Sequence, residues 1–191
     1  MKNELVRKSI HLAMLVLPVG YLFLAKHTML IILGVFILIA LFVEYARFYI
    51  EEFSEWFHGF FGHLLRNHEK RGLTGSTYLL ISCFLSILFF DKWIALLALL
   101  FMIISDAFGA LFGRLWGKRY ILQDKSIEGG IVFILTGALM VFLVPGSVIW
   151  IGLVGIVSAN IFEMFITTID DNLTIPLGAG LIMQILFWIF Y

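Results

Sequence analysis

Apolar runs of about membrane thickness follow one another along nearly the whole chain, and they constrain the fold more than any motif does. A spanning helix needs roughly 20 mostly apolar residues, and seven stretches approach that, at roughly 5–25, 28–49, 73–90, 92–113, 127–144, 148–169 and 173–191. With 62% of its 191 residues apolar and 14% charged, the chain lies outside the composition of water-soluble domains. The expected fold is all-α: a polytopic membrane protein of about seven transmembrane helices, forming a single domain over 1–191. The first run starts with basic residues but has no small-residue cleavage site, and a second run follows at once, so it reads as an anchor. Cys83 is the one cysteine and lies inside the third run. It leaves no internal disulfide and no cysteine-based metal motif, and packing is its expected role.

Orientation follows from the cations. Of the 13 Lys and Arg, only Lys26 and Lys92 fall outside if the N-terminus is cytoplasmic, a strong positive-inside bias. The N-terminus and any site on the basic side are therefore expected at the cytoplasmic face. A net charge of zero offers nothing to nucleic acid.

Against this apolar background the polar residues stand out, because a charge in hydrocarbon costs a few kcal/mol by insertion scales and marks a functional hypothesis. In the fourth run Asp106 shares a helix face with Gly109, Ala110, Gly113 and Gly117, where a neighbouring helix or a ligand can come close. Arg7 and His11, four apart, share a face in the first run; snorkelling to the interface accounts for Arg7 as well as a ligand would. Glu44 and Arg47, three apart, read as a structural ion pair. Phe53, Trp56, Phe57, Phe60, Phe61, Leu64 and Leu65 recur at intervals of three and four, predicting one interfacial amphipathic helix on the inner leaflet. Its aromatic stripe reads first as an anchor and second as the guard of a lateral lipid entrance.

The loop from Arg114 to Lys125 is basic, and Lys125-Ser126-Ile127-Glu128-Gly129-Gly130 sets a cation and an acid three apart where the chain re-enters the membrane. On the sixth run Asn160, Glu163, Thr167, Asp170 and Asp171 are expected along one polar face facing Asp106. At 1.5 Å per residue Asp106 and Glu163 both lie about 10–12 Å inside the basic boundary. The turn Asp170-Asp171-Asn172 before Pro176 fits a helix cap, which needs only one of its three polar residues. Carboxylates and phosphate oxygens suit Mg²⁺, and Arg and Lys neutralise phosphate. Phosphoryl transfer requires such parts, although neither a P-loop nor a protein-kinase signature is present.

These motifs, namely RKSIH at 7–11, LTGSTY at 73–78, the acid-glycine run 106–117, KSIEGG at 125–130, and Glu163 followed by DDNLTIP at 170–176, resemble the family of dolichol kinases, phytol kinases and yeast-type CTP-dependent diacylglycerol kinases, nearly end to end. The resemblance implies transfer of the γ-phosphate of CTP, with Mg²⁺ or another divalent metal, to the hydroxyl of a membrane lipid alcohol. It implies catalytic roles for Asp106, Glu128, Glu163, Asp170 and Asp171, with metal at Asp106, Glu128 and Asp171. Nucleotide contacts are expected from Arg71, Thr74, Gly113, Lys118, Lys125, Ser126 and Asn172. The base for the lipid hydroxyl is Glu163 or Asp106. A homo-oligomer is compatible with the sequence. The acid-glycine and Lys-Ser segments also look like those of phosphatidate cytidylyltransferases, but DDNLTIPLGAG stands where those enzymes carry Lys-Asp and Pro-Gly-His-Gly-Gly. A small ion or proton-coupled transporter is the reading from another class; the nearly pure hydrocarbon of the outer halves of the runs argues against it.

Overall fold

The computed structural model describes residues 2–66, 69–122, 125–166 and 169–191, with side chains from Val6 onward. Thr167, expected on the polar face of the sixth run, lies outside the described residues. Among them the order is α1 (Lys2–Ala13), α2 (Val16–Phe23), α3 (Lys26–Tyr49), α4 (Glu51–Phe61), α5 (Gly75–Phe89), α6 (Lys92–Leu100), a π-helical turn (Phe101–Ser105), α7 (Asp106–Trp116), β1 (Tyr120–Leu122), β2 (Lys125–Ser126), α8 (Ile127–Leu143), α9 (Ile149–Phe165) and α10 (Asp171–Phe190).

Four segments are long and apolar enough to cross a membrane: Val6–Phe23, Lys26–Tyr49, Lys92–Trp116 and Asp171–Phe190. The chain is a multi-pass membrane protein. The other three expected spans are helices of 15, 17 and 17 residues, or about 22–26 Å at 1.5 Å per residue, short of a hydrocarbon core of about 30 Å. Length therefore supports four of the seven expected spans. The all-helical expectation needs one small amendment, since β1 and β2 pair antiparallel, Tyr120 with Ser126 and Leu122 with Lys125, and turn the chain back from α7 to α8.

The helix through α6, the π turn and α7 is the axis of the molecule. From Ile94 to Ile103 every side chain except Leu100 is buried, as a helix that is hydrophobic all round must be. Around it α5 packs on α3 and α10, α8 on α7 and α9, and α9 on α10. Small residues let these backbones approach. A Cβ on Gly129 would stand 2.8 Å from the Gly109 carbonyl oxygen and 3.1 Å from the Gly113 Cα, so the glycine stripe beside Asp106 is filled by α8.

Two boundaries differ from the periodic pattern. The amphipathic helix α4 stops at Phe61 instead of continuing to Leu65: it already contains Gly59, and a second glycine, Gly62, adds a further cost of about 1 kcal/mol to prolonging it. Helix α9 stops at Phe165, where the sequence turns to Ile166-Thr167-Thr168-Ile169, β-branched residues that lose rotamer freedom in a helix. Asp170 and Asp171 are consequently not on the Glu163 helix at all. They begin α10, with the Asp170 side chain accepting the Asn172 amide at 3.0 Å as its cap.

At the end remote from Asp106, the Asp91 amide donates to Gln184 Oε1 at 2.8 Å and Gln184 Nε2 donates to Asp91 Oδ2 at 2.7 Å. This pairing fixes α10 to the start of α6. Cys83 is free and fully buried in the core, in keeping with a packing role.

Candidate active site

The π turn sets the geometry around Asp106. The Asp106 amide reaches back five residues to the Phe101 carbonyl, and the Met102 carbonyl accepts a hydrogen bond from His11 Nε2 at 3.0 Å. Such wide turns are rare and recur at functional sites. The bond ties α1 to the central helix and sets Lys8, three residues earlier on the same face, beside Asp106. Lys8 Nζ lies 2.5 Å from Asp106 Oδ2, and His11 Nε2 lies 3.9 Å from the same oxygen. Both partners of the Lys8–Asp106 pair are largely buried, at 14% and 9% side-chain exposure.

A second cluster faces this pair. Lys125 leaves β2 and bonds the Glu163 backbone carbonyl, while its ammonium stands 2.8 Å from Glu163 Oε1 and 3.5 Å from Asp171 Oδ2. Burial opposes the charge on Lys125. Asp171, then Glu163 by charge and hydrogen bond, and then Asp106 outweigh it, and the ammonium pKa is raised above its ordinary value. One lysine thereby joins α9 to the start of α10 across the break between them.

Both clusters line one cavity of about 740 Å³. Its wall carries Arg7, Lys8, Arg66, Arg114 and Lys125 among carboxylates Asp106, Glu163, Asp170 and Asp171, with Gly109, Gly113, Ser126, Gly129 and Gly130 as its small-residue floor. Cations and carboxylates in such a wall can bind a polyphosphate and, through it, a divalent ion. Among the described residues no three His, Cys, Asp or Glu side chains converge as a metal site on their own. The donor set fits an ion held by one or two carboxylates and completed by phosphate oxygens and water, the habit of Mg²⁺.

No family model and no solved structure matches the chain. It is 26% identical over 186 residues to an uncharacterized protein of Rickettsia prowazekii, covering 92% of this chain and 90% of that one. It is also 25% identical over 210 residues to CTP-dependent diacylglycerol kinase 1 of Schizosaccharomyces pombe, covering 97% of this chain and 94% of that protein. The chain is a distant homologue of a CTP-dependent lipid kinase. The similarity covers nearly the whole chain.

Of the residues expected at the site in this kinase homologue, Asp106, Gly113, Lys125, Ser126, Glu163, Asp170 and Asp171 line the cavity. Ser126 also caps α8, accepting the Gly129 amide at 3.1 Å. Glu128, Lys118 and Arg71 are not in the lining. The Glu128 carboxylate accepts the amides of Lys118 and Arg119 at 3.1 and 3.3 Å, bracing the hairpin from outside, and Lys118 and Arg71 are exposed. The Thr74 amide donates to Glu44 at 2.7 Å, and Asn172 Nδ2 donates to the Gly75 carbonyl at 3.2 Å; both residues line a neighbouring cavity instead.

The structure adds residues that the site expectation lacked. Lys8 and Arg66, neither of them among the residues expected at the site, line the cavity. The predicted Glu44–Arg47 pair is present and belongs to a larger brace. Arg47 also donates to the carbonyls of Glu69 and Gly72 at 2.9 and 2.7 Å, and Glu69 accepts the amides of Arg66 and Gly75 at 2.6 and 2.8 Å. That brace holds the segment before α5 against α3 and presents Arg66 to the cavity.

Proposed function

We propose that this chain is a membrane lipid kinase, one catalytic domain over 1–191 that transfers the γ-phosphate of CTP to the hydroxyl of a membrane lipid alcohol. The observation that carries the reading is the cavity in which Lys8–Asp106 and Lys125–Glu163–Asp171 face each other beside Arg7, Arg66 and Arg114. The distant relation to an enzyme named a CTP-dependent diacylglycerol kinase supports CTP as donor and puts diacylglycerol beside polyprenol, dolichol and phytol as acceptor. The Lys and Arg distribution favours a cytoplasmic site.

In this reading the acceptor oxygen attacks the γ-phosphorus, the bond from that phosphorus to the β-bridging oxygen breaks, CDP leaves, and the hydroxyl proton passes to a carboxylate. Lys8, Lys125 and the three arginines neutralise the triphosphate and the charge on its equatorial oxygens. Asp171 would hold a divalent ion, which when bound would offset part of the negative charge of the triphosphate. His11 fixes α1 so that Lys8 is already in place, and pre-set charge of this kind costs no rearrangement during reaction. Covalent work by the protein is not needed; positioning and charge suffice.

The test is product stoichiometry. Purified protein with Mg²⁺, CTP and each alcohol in turn should release one CDP per lipid monophosphate formed, and no CDP without the alcohol. Pyrophosphate together with a CMP-bearing lipid would instead indicate cytidylyl transfer.

A further inference from the structure

Beside the reaction cavity lies a second one of about 330 Å³, with a different kind of wall. Ile10 comes from α1, Met14 from the turn after it, Ala40 and Val43 from α3, and Phe57 and Phe61 from α4. The two cavities share Arg7, Lys8, Arg66, Asp106 and Asp171. A molecule with its hydrocarbon in the smaller cavity would present its polar end to the carboxylates of the larger. We infer that the smaller cavity holds the acceptor alcohol, its hydroxyl at Asp106 and Asp171 and its first stretch of chain between α1, α3 and α4. The inference rests on the kinase reading and adds where the acceptor lies and which carboxylates meet it.

Size supports a partly enclosed chain. The volume is at the low end for small-molecule sites, which suits one stretch of a lipid chain. A longer chain would continue from there into the bilayer. Helix α1 packs chiefly on α7 and the π turn, and α4 chiefly on α3, so α1 and α4 have little packed interface with each other. No residue of α4 is buried. Trp56 and Phe60 are 51% and 63% exposed on a helix whose Phe57 and Phe61 line the cavity, as expected of an interfacial helix that touches lipid on one side.

The carboxylates of this second cavity sort themselves by what they already hold. Glu44 accepts from Arg47, from the Thr74 amide and from the Thr77 hydroxyl at 2.9 Å, and Glu69 is held by two amides. Glu163 lines the polar cavity alone. Asp106 and Asp171 pair with Lys8 and Lys125 and are the two carboxylates that line both cavities; with Asp171 given to the divalent ion, Asp106 is the one placed to take the hydroxyl proton. This narrows the choice of base that the sequence left between Glu163 and Asp106.

The experiment combines a filled cavity with direct labelling. In Ala40→Phe the aromatic side chain occupies the space of the chain. The KM for a long-chain alcohol should rise about tenfold or more while the KM for CTP stays within about twofold, and a short-chain alcohol should be affected less. Independently, a long-chain alcohol carrying a diazirine near its hydroxyl, photolysed with wild-type protein in bilayers, should label peptides containing Met14, Val43 or Phe57, and unlabelled alcohol should compete. Equal changes in both KM values, or competed label confined to other helices, would overturn the inference. If wild-type protein phosphorylates no alcohol, the kinase reading fails on its own, and the labelling still decides whether the cavity takes a lipid alcohol.

Discussion

Replacing Asp106 by Asn keeps the shape of the side chain and removes one charge, so it isolates the electrostatic part of the site. In the wild type the carboxylate accepts from Lys8 at 2.5 Å, with the two side chains 9% and 14% exposed. A hydrogen bond to a charged group contributes about 1.5–3 kcal/mol, and losing one partner of a buried pair costs about 3–5 kcal/mol because the other charge is stranded. The residual exposure and the amide oxygen that Asn retains bring the expected loss of stability to about 2 kcal/mol. Adding Lys8→Met removes the stranded ammonium. The double variant should therefore be less destabilised than the two single losses together, by about 1–2 kcal/mol. Unfolding in detergent of the wild type, both single variants and the double variant measures that coupling, and turnover should be read on the folded fraction of each. If Asp106 takes the hydroxyl proton, kcat should fall by about 10²–10⁴ in Asp106→Asn. Additive stabilities within about 0.5 kcal/mol, together with kcat within tenfold of wild type, would refute both the pair and its role.

Other expectations concern the groups around it. The pKa of Lys125 is raised in the folded protein, so its stabilising charge is complete below the unfolded value of about 10.4 and is lost only as pH rises through the higher folded value. The stability difference between wild type and Lys125→Met should accordingly stay flat from about pH 7 to pH 10 and shrink above that; a decline already at pH 8 would contradict the Glu163 and Asp171 contacts. Gly129→Ala places a Cβ 2.8 Å from the Gly109 carbonyl oxygen; forcing α7 from α8 should cost about 1–3 kcal/mol, seen as a lower melting temperature. Glu44→Ala strands Arg47, which is 1% exposed, and should cost about 3–5 kcal/mol, whereas an unchanged melting temperature would mean the brace is not formed.

What the sequence made legible was whatever depends on local spacing. Hydropathy located every apolar helix, the i,i+3 spacing of Glu44 and Arg47 announced their pair, and Asp170 was readable as a cap. Length was less legible, because hydropathy registers apolar residues and not where helical hydrogen bonding stops. The run of β-branched residues after Phe165 ended α9 inside what looked like one polar helical face, yet Lys125 restored the meeting of Glu163 and Asp171 by a route that no periodicity encodes. The Lys8–Asp106 pair joins residues 98 apart in sequence, and the π turn that precedes Asp106 lies in an apolar stretch with no cap, Gly or Pro to mark it. Glu128 shows the opposite case: a motif named the residue, but the backbone geometry gave its carboxylate to the amides of Lys118 and Arg119.

The central claim is that the terminal phosphate of CTP goes to a lipid hydroxyl in this cavity. Wild-type protein in bilayers with Mg²⁺, a panel of diacylglycerol, polyprenol, dolichol and phytol, and phosphatidic acid as a further acceptor should be given CTP labelled at the γ-phosphate in one reaction and at the α-phosphate in another. The account predicts γ label in a lipid monophosphate and no α label in any lipid. Label from the α-phosphate in lipid, or from neither, would contradict it.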